Sequence, residues 1–272
     1  MQAAVWSPPV GTLGMLVADA HRRAAVLIPE TAELAAAAAT AAGAPRLAPA
    51  LVNDYVAVIA EVKRRSPSKG SIKTGIKAAA QAEAYADGGA AAVSVLTEPT
   101  HFGGTNQDLI DVTHRVTIPV VKKDFHVHPV QLLEAKALGA SAALLIVRAL
   151  SPEDLRVMAD TARELELETI LEIRDEAELD RALAVGARII GINNRNLETL
   201  EIDPATALRL LPLIPRDVVA IAESGMTTAK DVEAAAAAGA DAVLVGSFVS
   251  ASDEPVAAVR ALSQIPRTGR NG

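Results

Sequence analysis

A chain of 272 residues, half of them apolar and only 2% aromatic, carries enough material for one large core of Ala, Val, Leu and Ile. Its net charge of −7, with no basic run, argues against a nucleic-acid partner, which needs a positive stripe, yet leaves a small anionic substrate open. There is no cysteine, so disulfides and thiolate metal sites are excluded, and no apolar run reaches the ~18 residues of a membrane span.

Residues 1–55 come first. The opening stretch places its positive charges after the apolar residues, the reverse of a secretory signal, and a soluble cytoplasmic protein is expected. VADAHRRAAVLI (17–28) and TAELAAAAATAAG (31–43) read as helices joined near Pro29. They form a helical extension expected to pack on the domain built by the later residues. From Val56 onward, short β-branched runs alternate with helical patterns. The runs are 56–62, 91–97, 119–124, 142–147, 168–173, 188–193, 218–224 and 241–246. The helix over 151–165 shows its own start signals. Ser151 is the N-cap, Pro152 holds the first helical position, and Glu153 and Asp154 favour the positive end of the dipole. Eight strands, each with a following helix, predict a single (β/α)8 TIM barrel over 56–266. A doubly wound open sheet would have fewer strands. The polar tail RTGRNG (267–272) is expected to fray.

A repeat supports the barrel. GGAAAVSV (88–95), LGASAALLI (138–146), VGARIIGI (185–192) and AGADAVLV (238–245) share one order of helix, Gly-Ala stop, spacer and strand. Glycine can take the left-handed conformation that ends a helix, and the small alanine lets helix and strand approach. Gly-Ala ends many helices in alanine-rich chains, but four occurrences before alternate strands fit a barrel of doubled β/α pairs.

Barrels of this kind gather their chemistry at the C-terminal strand ends. Those ends carry Glu61 and Lys63, Lys123 before Asp124, Glu172, Asn193 with Arg195, Glu223 to Gly225, and Gly246 with Ser247. Any one of these alone reads equally well as part of a solvated surface pair. Glu172 resists that reading, because a carboxylate between Leu171 and Ile173 is costly unless paired or functional. ESGM (223–226) and VGSF (245–248) each offer a glycine and a serine, a pattern suited to phosphate between the last two loops. SPSKG (66–70) adds hydroxyls and a lysine. His126 and His128 form a His-x-His pair without a third ligand in sight, so no metal is expected. In GGTNQDL (103–109), Thr105 and Asp108 suit a helix capping box better than a phosphate loop.

Six segments together resemble indole-3-glycerol-phosphate synthase: EVKRRSPSKG (61–70), SVLTEPTHFGG (94–104), KKDF (122–125), INNRNL (192–197), ESGM and VGSF. The likeness runs in order from about Val58 to Ala251, and the family also has a helical N-terminal extension. It implies ring closure of 1-(2-carboxyphenylamino)-1-deoxyribulose 5-phosphate with loss of CO2 and water, without metal or organic cofactor. Lys123 matches the general acid at the ketone oxygen, and Lys63 the lysine that engages the anthranilate carboxylate. Glu172 and Glu61 match the acid–base positions for dehydration, with Asn193 orienting them. Arg195 and Glu223 match residues near the substrate hydroxyls and the lysine network. Ser66, Ser224, Gly225, Gly246 and Ser247 match the phosphate cradle, while Pro67, Phe102 and Phe125 match the apolar wall against the aromatic ring. His126, His128 and Met226 depart from the family's usual residues without touching the proton donors.

Two other readings compete. Phosphoribosylanthranilate isomerase is also a phosphate-binding barrel, but it would want a Cys/Asp pair, and this chain has no cysteine. A barrel that keeps phosphate binding but has lost catalysis would serve as a ligand-binding or complex partner. Retention of Glu61, Lys63, Lys123 and Glu172 speaks against it. The expected partner is a small phosphorylated molecule, and the expected assembly a monomer or weak homo-oligomer.

Overall fold

Parallel strands buried on both faces need short branched side chains, and the eight runs supply them. In the computed structural model, which describes residues 6–268, these runs become β1 (Ala57–Val62), β2 (Ala92–Leu96), β3 (Val120–Lys123) and β4 (Ala142–Ile146). They continue as β5 (Glu168–Ile173), β6 (Ile189–Asn193), β7 (Val219–Glu223) and β8 (Ala242–Val245). Every strand pairs in parallel with its sequence neighbours, and β1 pairs with both β2 and β8, so the barrel closes. Each expected strand is found, shifted by at most two residues at its ends. The fold is the expected (β/α)8 barrel rather than a doubly wound sheet, with a short antiparallel hairpin pairing Arg65–Ser66 with Gly70–Ser71 in the loop after β1.

Helices follow every strand, as the barrel requires. An N-terminal extension of α1 (Gly11–Leu27), α2 (Thr31–Thr40) and α3 (Leu47–Ala50) precedes the barrel helices α4 (Ala78–Asp87), α5 (Asn106–Thr113) and α6 (Pro129–Ala137). Then come α7 (Pro152–Glu164), α8 (Glu176–Ala184), α9 (Ala205–Leu210), α10 (Ala229–Ala238), α11 (Ser247–Ala251) and α12 (Pro255–Arg260). Ser151 caps α7 by accepting the Asp154 N–H at 3.0 Å. Gly89, Gly139, Gly186 and Gly239, the glycines of the repeat, all have left-handed φ, from 77° to 105°. They turn the chain from α4, α6, α8 and α10 into the next strand.

Thr105 caps α5 as expected, accepting the Asp108 N–H at 3.1 Å. The Asp108 carboxylate takes the Thr105 hydroxyl at 2.8 Å and both terminal nitrogens of Arg64 at 2.6 and 2.7 Å. That ties the loop after β1 to the loop after β2.

α1 begins six residues earlier than its apolar pattern suggested. The reason is tertiary. Glu198, in the loop after β6, accepts the Val10 N–H on its side chain and the Thr12 N–H on its carbonyl, satisfying donors that a new helix leaves open. The helix then crosses the C-terminal face of the barrel. Arg23 reaches Asp124 at 2.6 Å and Glu98 at 3.5 Å, and Asp19 meets His101 at 2.8 Å. A 3-10 turn (Ile28–Glu30) holding Pro29 joins it to α2, where the join was read. Most of the expected tail, 269–272, lies outside the described residues. Within them, Arg267 donates its N–H to the Asp54 carbonyl and its guanidinium to Asp241. Among the described residues no helix is long and apolar enough to cross a membrane.

Candidate functional site

Side-chain alternation along β3 sends Lys122 outward to Glu134 of α6 and Lys123 into the barrel mouth. The Lys123 ammonium sits 3.2 Å from Glu172 Oε2 of β5 and 3.7 Å from Glu223 Oε2 of β7. On β1, Lys63 Nζ lies 2.6 Å from Glu61 Oε1. Glu61, Glu172 and Glu223 are all buried. Three carboxyl groups and two lysine amino groups therefore share one floor. Two glycines make room for it. A side chain at position 191 would collide with the Glu223 carboxylate, and one at 246 with both Glu61 and Lys63.

Burial and mutual charge set the protons. Burial alone would depress the pKa of Lys123, but Glu172, Glu223 and Glu61 around it hold it above its ordinary value, so it stays an ammonium. Burial would lift the carboxyl of Glu61, yet Lys63 and Lys123 beside it bring it below the usual range. Glu223 goes the other way. Burial, reinforced by the negative charges of Glu172 and Glu61, outweighs Lys123 and pushes it up to about 8. The same floor thus offers a charged donor in Lys123, a neutral donor in Glu223 and an anionic acceptor in Glu61.

Above the floor, one cleft is lined by Ser66, Pro67, Asn193, Arg195, Ser224, Gly225, Gly246 and Ser247. Ser224 and Gly225 both have left-handed φ, 65° and 87°, giving a sharp turn at the end of β7. Asn194 braces that turn, donating to the Ser224 carbonyl at 2.9 Å while its Oδ1 accepts the Ala207 N–H at 2.8 Å. Gly246 leads into α11, whose opening N–H groups have no intrahelical acceptor. Together these loops form a seat suited to an anion. Across the cleft, Phe102 and Phe125 face each other at 6.1 Å with planes tilted by 40°, an apolar wall. Asn193 Oδ1 accepts the Arg195 N–H at 2.9 Å, and the Arg195 guanidinium donates to the Leu200 carbonyl at 2.8 Å.

Fourteen of the fifteen residues singled out in the sequence line this cleft; Glu172 lies in contact with Lys123 and lines the adjoining hollow beside Asn193 and Arg195. Four participants escaped the sequence reading. Leu16 enters the cleft from α1, Asn194 braces the β7 turn, and Gly191 and Ser94 belong to the barrel interior. Asn194 had a signal, being the second residue of the polar pair after IIGI. Leu16 had none, since only tertiary docking brings it there. The two departing histidines have structural places. His126 is buried with Nδ1 2.8 Å from the Leu144 carbonyl, and His128 caps α6. Burial, aided by Lys122, pushes the His126 imidazole down to about 4, so it is neutral at ordinary pH.

A family model described as indole-3-glycerol phosphate synthase matches residues 18–262. Curated proteins of that name are similar across most of the chain. One from Opitutus terrae is 44% identical over 251 residues, covering 88% of this chain and 94% of its own. One from Nocardioides is 50% identical over 208 residues, covering 76% and 80%. One from Mycobacterium leprae is 49% identical over 224 residues, covering 82% of each. Among solved structures, a thiamine phosphate pyrophosphorylase from Pyrococcus furiosus superposes with a TM-score of 0.57 over 76% of this chain and 93% of its own. At 14% identity, that likeness speaks for the fold alone. The chain belongs to the indole-3-glycerol phosphate synthase family.

Proposed function

We propose that this protein catalyses the ring closure for which its family is named. In this reading it joins the carboxylate-bearing aryl carbon of 1-(2-carboxyphenylamino)-1-deoxyribulose 5-phosphate to the ketone carbon. CO2 and then water leave, giving indole-3-glycerol phosphate. One observation carries the proposal: the Lys123 amino group stands 3.2 Å from Glu172 and 3.7 Å from Glu223, both buried, at the floor of a cleft whose rim is lined by Ser224, Gly225, Gly246 and Ser247.

The roles follow from charge and place. Lys123 protonates the ketone oxygen as the new bond forms, and its charge stabilises the developing alkoxide. Lys63 engages the substrate carboxylate until it departs as CO2. Dehydration needs an acid for the leaving hydroxyl and a base for the ring proton. Glu172, in contact with Lys123, and the anionic Glu61 are assigned to that pair, with Asn193 orienting them and Arg195 and Glu223 close to the substrate hydroxyls. Ser66, Ser224, Gly225, Gly246 and Ser247 hold the phosphate, and Pro67, Phe102 and Phe125 pack on the aromatic ring. No metal or organic cofactor enters this scheme. The setting we assign is cytoplasmic, with the protein acting as a monomer or weak homo-oligomer.

The test is direct. Purified protein mixed with the aminodeoxyribulose phosphate should develop indole fluorescence and release one CO2 per product. Tight binding of the substrate without fluorescence would favour the disfavoured alternative, a phosphate-binding barrel that has lost its chemistry.

A further inference from the structure

The backbone bearing Glu61 and Lys63 is held from behind by two hydroxyls that the proposed reaction does not use. The ladder between β1 and β8 has its last pair at Ala60 and Val245. Beyond it, Ser250 of α11 supplies the next rung. Its Oγ donates to the Glu61 carbonyl at 2.7 Å and accepts the Lys63 N–H at 3.1 Å. Tyr85 of α4, fully buried, brings its hydroxyl to 3.2 Å from both the Glu61 carbonyl and Ser250 Oγ. The protons balance. Ser250 spends its one proton on the carbonyl, and Tyr85 shares its own between that carbonyl and Ser250 Oγ.

A continued strand would satisfy the same two backbone groups. Instead β8 stops, and Gly246 turns into the cleft against the Glu61–Lys63 ion pair. Ser250 lies one helical turn further on, its N–H bonded to the Gly246 carbonyl at 3.0 Å. One short helix therefore both borders the anion seat and fixes the backbone beneath the ion pair. A displacement of about 1 Å at reacting groups is enough to cost orders of magnitude in rate.

We propose that Ser250 and Tyr85 are positioning residues for the ring closure, holding the segment 61–63 in place where β8 has left the ladder to form the anion seat. The inference rests on the roles assigned to Glu61 and Lys63 under the proposed function. Steady-state kinetics of Ser250→Ala, alone and combined with Lys63→Met, tests it. Ser250→Ala is expected to lower kcat about 10-fold or more while KM stays within about 3-fold. Tyr85→Phe should act in the same direction with a smaller factor. In the Lys63→Met background the Ser250 factor should shrink at least about 3-fold, because the ion pair it serves is already broken. Equal factors in both backgrounds, or a folded Ser250→Ala with wild-type kcat, would overturn the proposal. Should Ser250→Ala fail to fold, Tyr85→Phe carries the same pair of readouts. A Lys63→Met single variant with wild-type turnover would instead refute the assignment of Lys63 itself and remove the basis of both readings.

Discussion

Lys122 and Lys123 are neighbours of identical chemistry, and the alternation of β3 gives them different work. Lys122 is buried against Glu134 at 2.8 Å, outside the barrel, while Lys123 meets Glu172 and Glu223 inside it. Its place at a strand end made Lys123 legible, and the cost of an unpaired buried carboxylate did the same for Glu172. Which proton each group keeps was not legible, because it depends on neighbours from other strands. Glu223 shows the consequence. Its carboxyl is pushed up to about 8 from an ordinary 4.5, chiefly by burial. Between those values the folded chain holds a proton that the unfolded chain releases, so this group makes stability fall as pH rises through that window. Gln does not titrate. Glu223→Gln should therefore gain thermal stability relative to the wild type, and the gain should widen from pH 5 to pH 8.5. Melting curves showing the same difference at both ends of that range would contradict the protonated state of Glu223.

The Gly-Ala repeat was readable as punctuation because only a residue tolerating left-handed φ can end those four helices so abruptly. Gly186 offers the cleanest check. Its φ is 77°, and a methyl group added there would meet nothing closer than 3.8 Å, so substitution carries backbone strain without a clash. Gly186→Ala should cost about 1–2 kcal/mol in urea unfolding at unchanged m-value. A neutral or stabilising effect would mean that the turn relaxes freely. The start of α1 was illegible for the opposite reason. Nothing between Val10 and Leu16 signals a helix; Glu198, nearly two hundred residues later, supplies the acceptors that begin it. Arg23 likewise finds Asp124 and Glu98 only after the barrel has closed. The short Ser250 rung belongs to this class too, since one of three serines in GSFVSAS (246–252) carries no mark of the strand end it completes.

At the scale of the whole molecule, closure is what turns scattered strand ends into a site. Glu61 and Ser247 lie 186 positions apart in the sequence (247 minus 61), and the pairing of β1 with β8 brings them to one cleft. Counting strands predicted that convergence, because eight parallel strands around one axis leave their C-terminal ends no other place to point. The docking of α1 over that face, with Leu16 in the cleft, was not predictable from the extension's own residues beyond its helical character. The central claim is that the lysine of β3, held charged by the buried carboxylates of Glu61 on β1 and Glu172 on β5, drives the chemistry while the barrel frame merely supports it. Turnover of Lys123→Met, followed by indole fluorescence with circular dichroism as the check on folding, tests this most directly. The account predicts a folded barrel whose turnover has dropped by at least about 100-fold; a folded variant turning over at close to the wild-type rate would contradict it.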